Sequence, residues 1–129
     1  MNIALLEDNP PILDYLSTAL EMLGHTVYGF TNSAPLLETL FDGESVRAPL
    51  PYDLALIDLL LPGSMSGLLT AQRIRQAIPP PQLHIIVVSA CSQKELEAAQ
   101  VELPQVPILR KPFKIQELMQ LIDQMQPAG

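Results

Sequence analysis

Five polar residues at the ends of apolar runs could do chemistry together: Glu7, Asp8, Asp58, Ser89 and Lys111. Carboxylates gathered within a few ångströms do not all stay ionised unless a positive charge neutralises them. A hard cation with oxygen ligands supplies that charge, and Mg²⁺ accepts a site of few carboxylates with waters and a phosphoryl oxygen. Asp58 is then a candidate nucleophile able to form an aspartyl-phosphate. The incoming phosphoryl group carries spread-out negative charge, which Lys111 would pair with and the Ser89 hydroxyl would hydrogen-bond. Positioning and electrostatics supply most of phosphoryl-transfer catalysis, and this set has groups for both.

The elements that must position these residues are legible as an alternation of short apolar runs and amphipathic stretches. Ile3-Ala4-Leu5-Leu6, Leu54-Ala55-Leu56-Ile57 and Ile85-Ile86-Val87-Val88 are continuous, as strands buried on both faces are. His25–Phe30 reads as a weaker strand. Val106-Pro107-Ile108-Leu109 is weaker still, because Pro107 cannot donate to a ladder and suits an edge. Ile12, Leu13, Leu16, Ala19, Leu20 and Leu23 recur at helical spacing, closed by Gly24. Ser33–Phe41 and Gly67–Ile78 give two further helices, the latter stopped by three prolines. Ser92-Gln93-Lys94-Glu95 has the capping-box form that opens a fourth, and Ile115, Leu118, Leu121, Ile122 and Met125 form the inner face of a fifth. Asp42–Tyr52, carrying Pro49 and Pro51, reads as a surface connection.

Five strands and five helices in βα order, joined by right-handed crossovers, predict an α/β fold with a doubly wound parallel sheet. Any site then lies at the carboxyl ends of the strands. Glu7-Asp8 follows the first strand, Asp58 the third, Ser89 the fourth and Lys111-Pro112 the fifth. Singly, each has an ordinary explanation: Asp8 or Asn9 as a helix cap, Asp58 as a turn residue, Ser89 as a cap, Lys111 as a solvated charge. Their recurrence at one strand end after another does not.

Composition narrows the alternatives. The 129 residues suit one domain. Seven basic against fourteen acidic side chains give a net charge of −7, which argues against direct nucleic-acid binding and against anionic lipid. The single Cys91 excludes an internal disulfide framework. The absence of Trp and a 5% aromatic content disfavour a base-stacking platform. The N-terminus meets carboxylates too early for a secretory signal, and no apolar run approaches the roughly 20 residues of a membrane helix. A reduced, cytoplasmic protein is expected. Residues 1–125 form the expected domain and 126–129 a C-terminal tail or linker start.

Glu7-Asp8, Asp58-Leu-Leu-Leu-Pro62, Ser89-Ala90 and Lys111-Pro112-Phe113, in this order and spacing, resemble the receiver domain of two-component response regulators, of the CheY-like type. The resemblance implies a flavodoxin-like (βα)5 fold with strand order 2-1-3-4-5. It implies phosphorylation of Asp58 by a sensor histidine kinase or a phosphotransfer protein, with Mg²⁺ held by Glu7, Asp8, Asp58 and the backbone carbonyl of Leu60. It also implies that the Ser89 hydroxyl moves toward the phosphoryl group, that Lys111 is the family's lysine, and that the Lys111-Pro112 bond is cis. A chain of this kind catalyses phosphoryl transfer onto itself and is not a conventional enzyme.

Three departures from the family pattern stand out. The turn from Pro62 to Gly67 is one residue longer than its commonest form. Ile108 stands where many receivers carry a Tyr or Phe that swings inward. Pro104 and Pro107 suggest a short or irregular fourth helix. The last two motivate an alternative, a pseudo-receiver that switches as a protein-interaction module without phosphate. Leu96, Ala98 and Ala99 with Met119 and Leu121 suggest an apolar patch for an output partner, or for a homodimer through the face of helix four, strand five and helix five. His25 and His84, each leading a strand, are read as surface or packed imidazoles, and Cys91 as a small semi-buried residue. Two enzyme readings fit poorly. An aspartate-nucleophile phosphohydrolase usually has a second Asp where this chain has Leu60. An FMN-binding loop needs backbone N–H donors where this chain has Glu7-Asp8-Asn9-Pro10.

Overall fold

The computed structural model describes residues 1–59, 66–90 and 92–125. In chain order its elements are β1 (Asn2–Leu6), α1 (Pro10–Met22), β2 (Thr26–Phe30), α2 (Ser33–Leu40), β3 (Phe41–Asp42) and β4 (Ser45–Val46). They continue as β5 (Leu54–Asp58), α3 (Gly67–Ala77), β6 (His84–Ser89), α4 (Gln93–Glu102), β7 (Ile108–Arg110) and α5 (Ile115–Met125). The main sheet has the order β2-β1-β5-β6-β7, all parallel. Counting only its own strands, this is the predicted 2-1-3-4-5 doubly wound arrangement.

The continuous apolar runs become central strands because each buries both faces. Ala4, Leu6, Ala55, Ile57, Ile85 and Val87 point into one layer, where Leu36 and Leu40 of α2, Ile74 of α3 and Ala99 of α4 cover them. Their neighbours Ile3, Leu5, Leu54, Leu56, Ile86 and Val88 point into the other, under Leu16 and Leu20 of α1 and Leu118 and Ile122 of α5. Burying each such aliphatic side chain contributes about 1.5–3 kcal/mol, so these layers anchor everything the strand ends carry.

Local signals fix where the helices start and stop. The Asn9 side chain caps α1 by accepting from the Ile12 N–H at 3.3 Å, and Pro10 opens the first turn. Gly24, at φ +93°, follows that helix in the left-handed conformation that glycine adopts without strain. Ser66 caps α3 through the Leu69 N–H at 3.2 Å. Ser92 and Glu95 form both halves of the capping box of α4.

The structure corrects the sequence reading in several places. The stretch Asp42–Tyr52 is more than a surface connection. Phe41 leaves the helical conformation to pair with Val46 in a short antiparallel hairpin, so α2 ends at Leu40. Phe41 is buried beneath the Arg73 guanidinium, whose central carbon lies 3.9 Å from the ring centroid. Tyr52 is buried against Tyr28 and Phe30, with centroids 5.4 and 6.3 Å away. The fourth helix is a regular ten-residue α-helix, since Pro104 and Pro107 lie beyond its end. Its Ala99 and Leu96 face the core, whereas Val101 is 77% exposed, so the apolar surface that α4 leaves open lies at Ala98 and Val101 rather than Ala99. The edge strand is shorter than Val106–Leu109 suggested: Val106 is buried, Pro107 precedes the ladder, and pairing runs over Ile108–Arg110.

Ile74, fully buried where α3 meets the sheet, tests this layer. Ile74→Ala is expected to lower stability by about 2–5 kcal/mol, read as a lower urea midpoint with an unchanged slope.

Candidate functional site

The carboxyl rim of the sheet gathers the acidic residues. β1 ends at Leu6, so Glu7 and Asp8 leave the sheet there, and the Glu7 N–H donates to the Phe30 carbonyl of β2 at 3.0 Å. Asp58 is the last residue of β5. Because β1 and β5 are adjacent and parallel, both chain exits face the same rim. Glu7, Asp8 and Asp58 each offer a carboxylate oxygen, all within 4.8 Å of one another. Glu7 and Asp58 are 1% and 5% exposed, and Asp8 is the most open of the three.

Lys111, the first residue after β7, reaches across this group. Its Nζ donates to Glu7 Oε1 at 2.9 Å and to Asp58 Oδ2 at 3.1 Å. The Lys111 N–H is itself held by the Ser89 carbonyl at 2.7 Å, which ties the lysine to the end of β6. The Lys111-Pro112 bond is cis. Ser89 is fully buried as the last residue of β6. Ile108 is half-buried on β7, paired in register with Val87 and packed on the α2–α3–α4 side of the sheet. Leu60 and the longer turn after Pro62 lie outside the described residues, as do Cys91 and the tail 126–129.

Charge and burial work against each other here. Burial pushes the Glu7 carboxyl up to about 7, and its hydrogen bond with Asp58 adds to the rise, while Lys111 only partly offsets both. For Lys111 burial acts downward, but its bonds to Glu7 and Asp58 outweigh that and raise its pKa. Three carboxylates against one ammonium leave two negative charges when all are ionised. Glu7 Oε2 is buried with no hydrogen-bond partner among the described residues. An orphaned buried oxygen in an all-oxygen, doubly negative cluster fits a hard divalent cation.

Sequence reasoning missed one positioning residue. Gly67 begins α3 against the end of β5, its N–H donating to the Leu59 carbonyl at 3.1 Å, and a Cβ there would overlap the Asp58 carbonyl oxygen. The only signal was a glycine at a helix start just after the strand that carries Asp58. The histidines stay off the rim: His25 Nδ1 contacts the chain's terminal amine at 3.1 Å, and His84 opens β6.

The response regulator receiver domain family model matches residues 3–123. Among curated relatives, the chain is 26% identical over 117 residues to the DNA-binding dual master transcriptional regulator RpaA of Synechocystis, covering 91% of this chain and 45% of RpaA. It is 28% identical to the response regulator receiver protein CpdR of Brucella abortus, covering 98% of each. The chain thus spans less than half of RpaA and nearly all of CpdR. The crystal structure of response regulator protein TrrA of Thermotoga maritima, in complex with Mg²⁺-BeF, superposes with a TM-score of 0.75. TrrA is 24% identical, with 97% of this chain and 98% of TrrA covered.

The raised Glu7 pKa has a definite sign in stability. The folded chain holds a proton on this carboxyl between its ordinary value of 4.5 and about 7, where the unfolded chain has released it. In the presence of a chelator, stability is therefore expected to fall by on the order of 2 kcal/mol as pH rises through this window. Glu7→Gln is expected to flatten that loss in thermal melts across pH. Gly67→Ala is expected to destabilise by about 1–3 kcal/mol, because backbone atoms of β5 must move to admit the methyl.

Proposed function

The chain belongs to the response regulator receiver domain family, and from this premise we propose that it is a phosphoacceptor in two-component signalling, modified on Asp58. The donor is the phosphohistidine of a sensor histidine kinase or of a phosphotransfer protein. The observation that carries this reading is the bond from Lys111 Nζ to Asp58 Oδ2 at 3.1 Å, at the edge of an acidic cluster on the strand rim.

The chemistry assigns each side chain a task. An Asp58 carboxylate oxygen forms the new bond to phosphorus while the bond to the donor imidazole nitrogen breaks, leaving an acyl phosphate on the chain. Lys111 holds Asp58 in place before transfer, then pairs its ammonium with the phosphoryl oxygens. The Ser89 hydroxyl donates to the same group. Glu7, Asp8 and Asp58, with the Leu60 carbonyl, would hold Mg²⁺. When bound, that ion supplies positive charge for the crowded carboxylates and the phosphoryl oxygens. Receiver domains are signalling modules rather than conventional enzymes, and here catalysis is confined to the chain's own Asp58.

Phosphorylation shifts an existing equilibrium at the face of α4, β7 and α5. Ile108 lies on this face in the position many receivers give to an aromatic ring, so Ser89 and the packing of α4 carry the response without a ring flip. The exposed Val101 of α4, with half-buried Leu121 of α5, offers a surface for an output partner or a second copy of the chain, whereas Met119 lines a cavity with Leu23 and His25 beside α1. The described helices include none long and apolar enough to cross a membrane, and a cytoplasmic setting suits the reading. The DNA binding named for RpaA belongs to a protein of which the match with this chain covers 45%. With a net charge of −7, this chain acts without touching nucleic acid itself. The intact acidic cluster and its lysine weigh against a phosphate-independent pseudo-receiver.

Incubation with acetyl phosphate and Mg²⁺ is expected to add one base-labile phosphate, seen as a mass increase on the intact chain. Asp58→Ala and a chelator should each abolish it, and Lys111→Ala should lower the rate at least about tenfold. Label that persists in Asp58→Ala would overturn the assignment.

A further inference from the structure

At the opposite end of the molecule from the acidic rim, the last turns of α3 and α4 enclose a second polar feature. A cavity of about 320 Å³ lies there, with Gln72, Arg75 and Glu102 among its polar lining and Pro80, Leu103 and Pro104 among its apolar lining. Small-molecule clefts run from about 300 to 1,000 Å³ and combine apolar walls with a few placed polar groups. Arg75 Nη1 donates to the carbonyls of Ile78 at 3.0 Å and Leu83 at 2.9 Å. These bonds fix the head group against the turn after α3. Among the described residues, Arg75 has no carboxylate partner. Partial burial lowers its pKa, as expected of a charge removed from water without a counter-ion. Glu102 does not supply one, for its Oε2 accepts from Gln72 Nε2 at 3.0 Å.

We propose that this cavity binds a small organic carboxylate with an apolar body, the carboxylate on the Arg75 guanidinium and the body against Pro80, Leu103 and Pro104. A guanidinium fork matches the two oxygens of a carboxylate. Glu102 on the same cavity disfavours a doubly charged anion such as phosphate, and the apolar wall gives bare inorganic ions nothing to bury. Because α3 and α4 both contribute, an occupant adds a tie between the two helices beside the Gln72–Glu102 bond.

The test is a heteronuclear NMR titration of the whole chain with phenylacetate, phenylacetamide and inorganic phosphate. Phenylacetate is expected to give saturable shifts at the backbone amides of Gln76, Leu103 and Gln105. Phenylacetamide should bind at least about tenfold more weakly, because it lacks the charge, and phosphate should not saturate. Gln76→Trp, on an exposed position of the lining, should fill the cavity and abolish the shifts while the remaining spectrum stays native. Arg75→Lys, which keeps the charge and loses the fork, should weaken binding several-fold. Equal affinity for acid and amide, persistence of binding in Gln76→Trp, or unmoved lining amides with phenylacetate would each overturn the proposal.

Discussion

The constraint on which the rest of this molecule depends is the crowding of Glu7, Asp8 and Asp58 around a single ammonium. Left alone, that crowding is unfavourable: Glu7 is driven up to about 7, and one of its oxygens has no partner among the described residues. A fold tolerates such a cluster only if its backbone is held by something much stronger. Here the holding is done by β1, β5 and β6, whose apolar residues are almost completely buried on both faces. The strands do not yield to the repulsion at their ends, so the strain falls on the protonation of Glu7 and, under the proposed function, on the binding of a cation. Both are reversible, which is the property a signalling site needs.

Parallel register explains why the cation is a lysine and why it comes from the edge strand. Leu6 lies opposite Ile57, so Glu7 continues to the level of Asp58. Asp58 lies opposite Val88, which puts Ser89 one residue farther out. Ser89 in turn lies opposite Arg110, so Lys111 starts a further step beyond the rim. The rim is therefore a staircase, and only a long, flexible side chain reaches back down it to Glu7 and Asp58. The carboxylates stay on the low steps, where the backbone is most rigid. The lysine occupies the high step, just past the three-residue β7.

Much of this was legible in the sequence because it rested on strong, local patterns. Continuous runs such as Ile85–Val88 predict strands buried on both faces, right-handed crossovers predict the doubly wound sheet, and the strand order came only with the family resemblance. The polar residue ending each run marks the rim without any tertiary information. The hairpin after α2 was hidden because Asp42, Gly43, Glu44 and Ser45 are polar and turn-like, while Phe41 continues the apolar pattern of α2 and Tyr52 stands alone between Pro51 and Asp53. The regularity of α4 was misjudged because two prolines near a helix end resemble two prolines within it. The signal that decides between them, the capping box at Ser92, fixes only the start. Gly67 escaped notice because its significance is a contact with the β5 backbone, which no one-dimensional pattern records.

α4 is the element through which the two ends of the molecule can communicate. It starts four residues after Ser89 at the rim, and Glu102 at its far end bonds to Gln72 of α3. Its hold on the core is slight: Ala99 is buried and Leu96 half-buried, with Val101 facing solvent. By contrast α3 buries Thr70, Ala71 and Ile74, with the Thr70 hydroxyl bonded to Ser33 of α2 at 2.7 Å. An element with little buried apolar surface sits at the low end of local stability and shifts before its neighbours do. Beyond Ala99 and Leu96, its position is set by polar ties: Arg110 Nη1 of β7 donates to Gln93 Oε1 at 3.4 Å at one end, and Gln72 bonds Glu102 at the other. Polar ties are the kind that a phosphoryl group near Ser89, or a carboxylate on Arg75, is able to rearrange. Under the proposed function, α4, with less buried surface than α3, is the element expected to shift relative to the sheet, carrying the exposed Val101 with it.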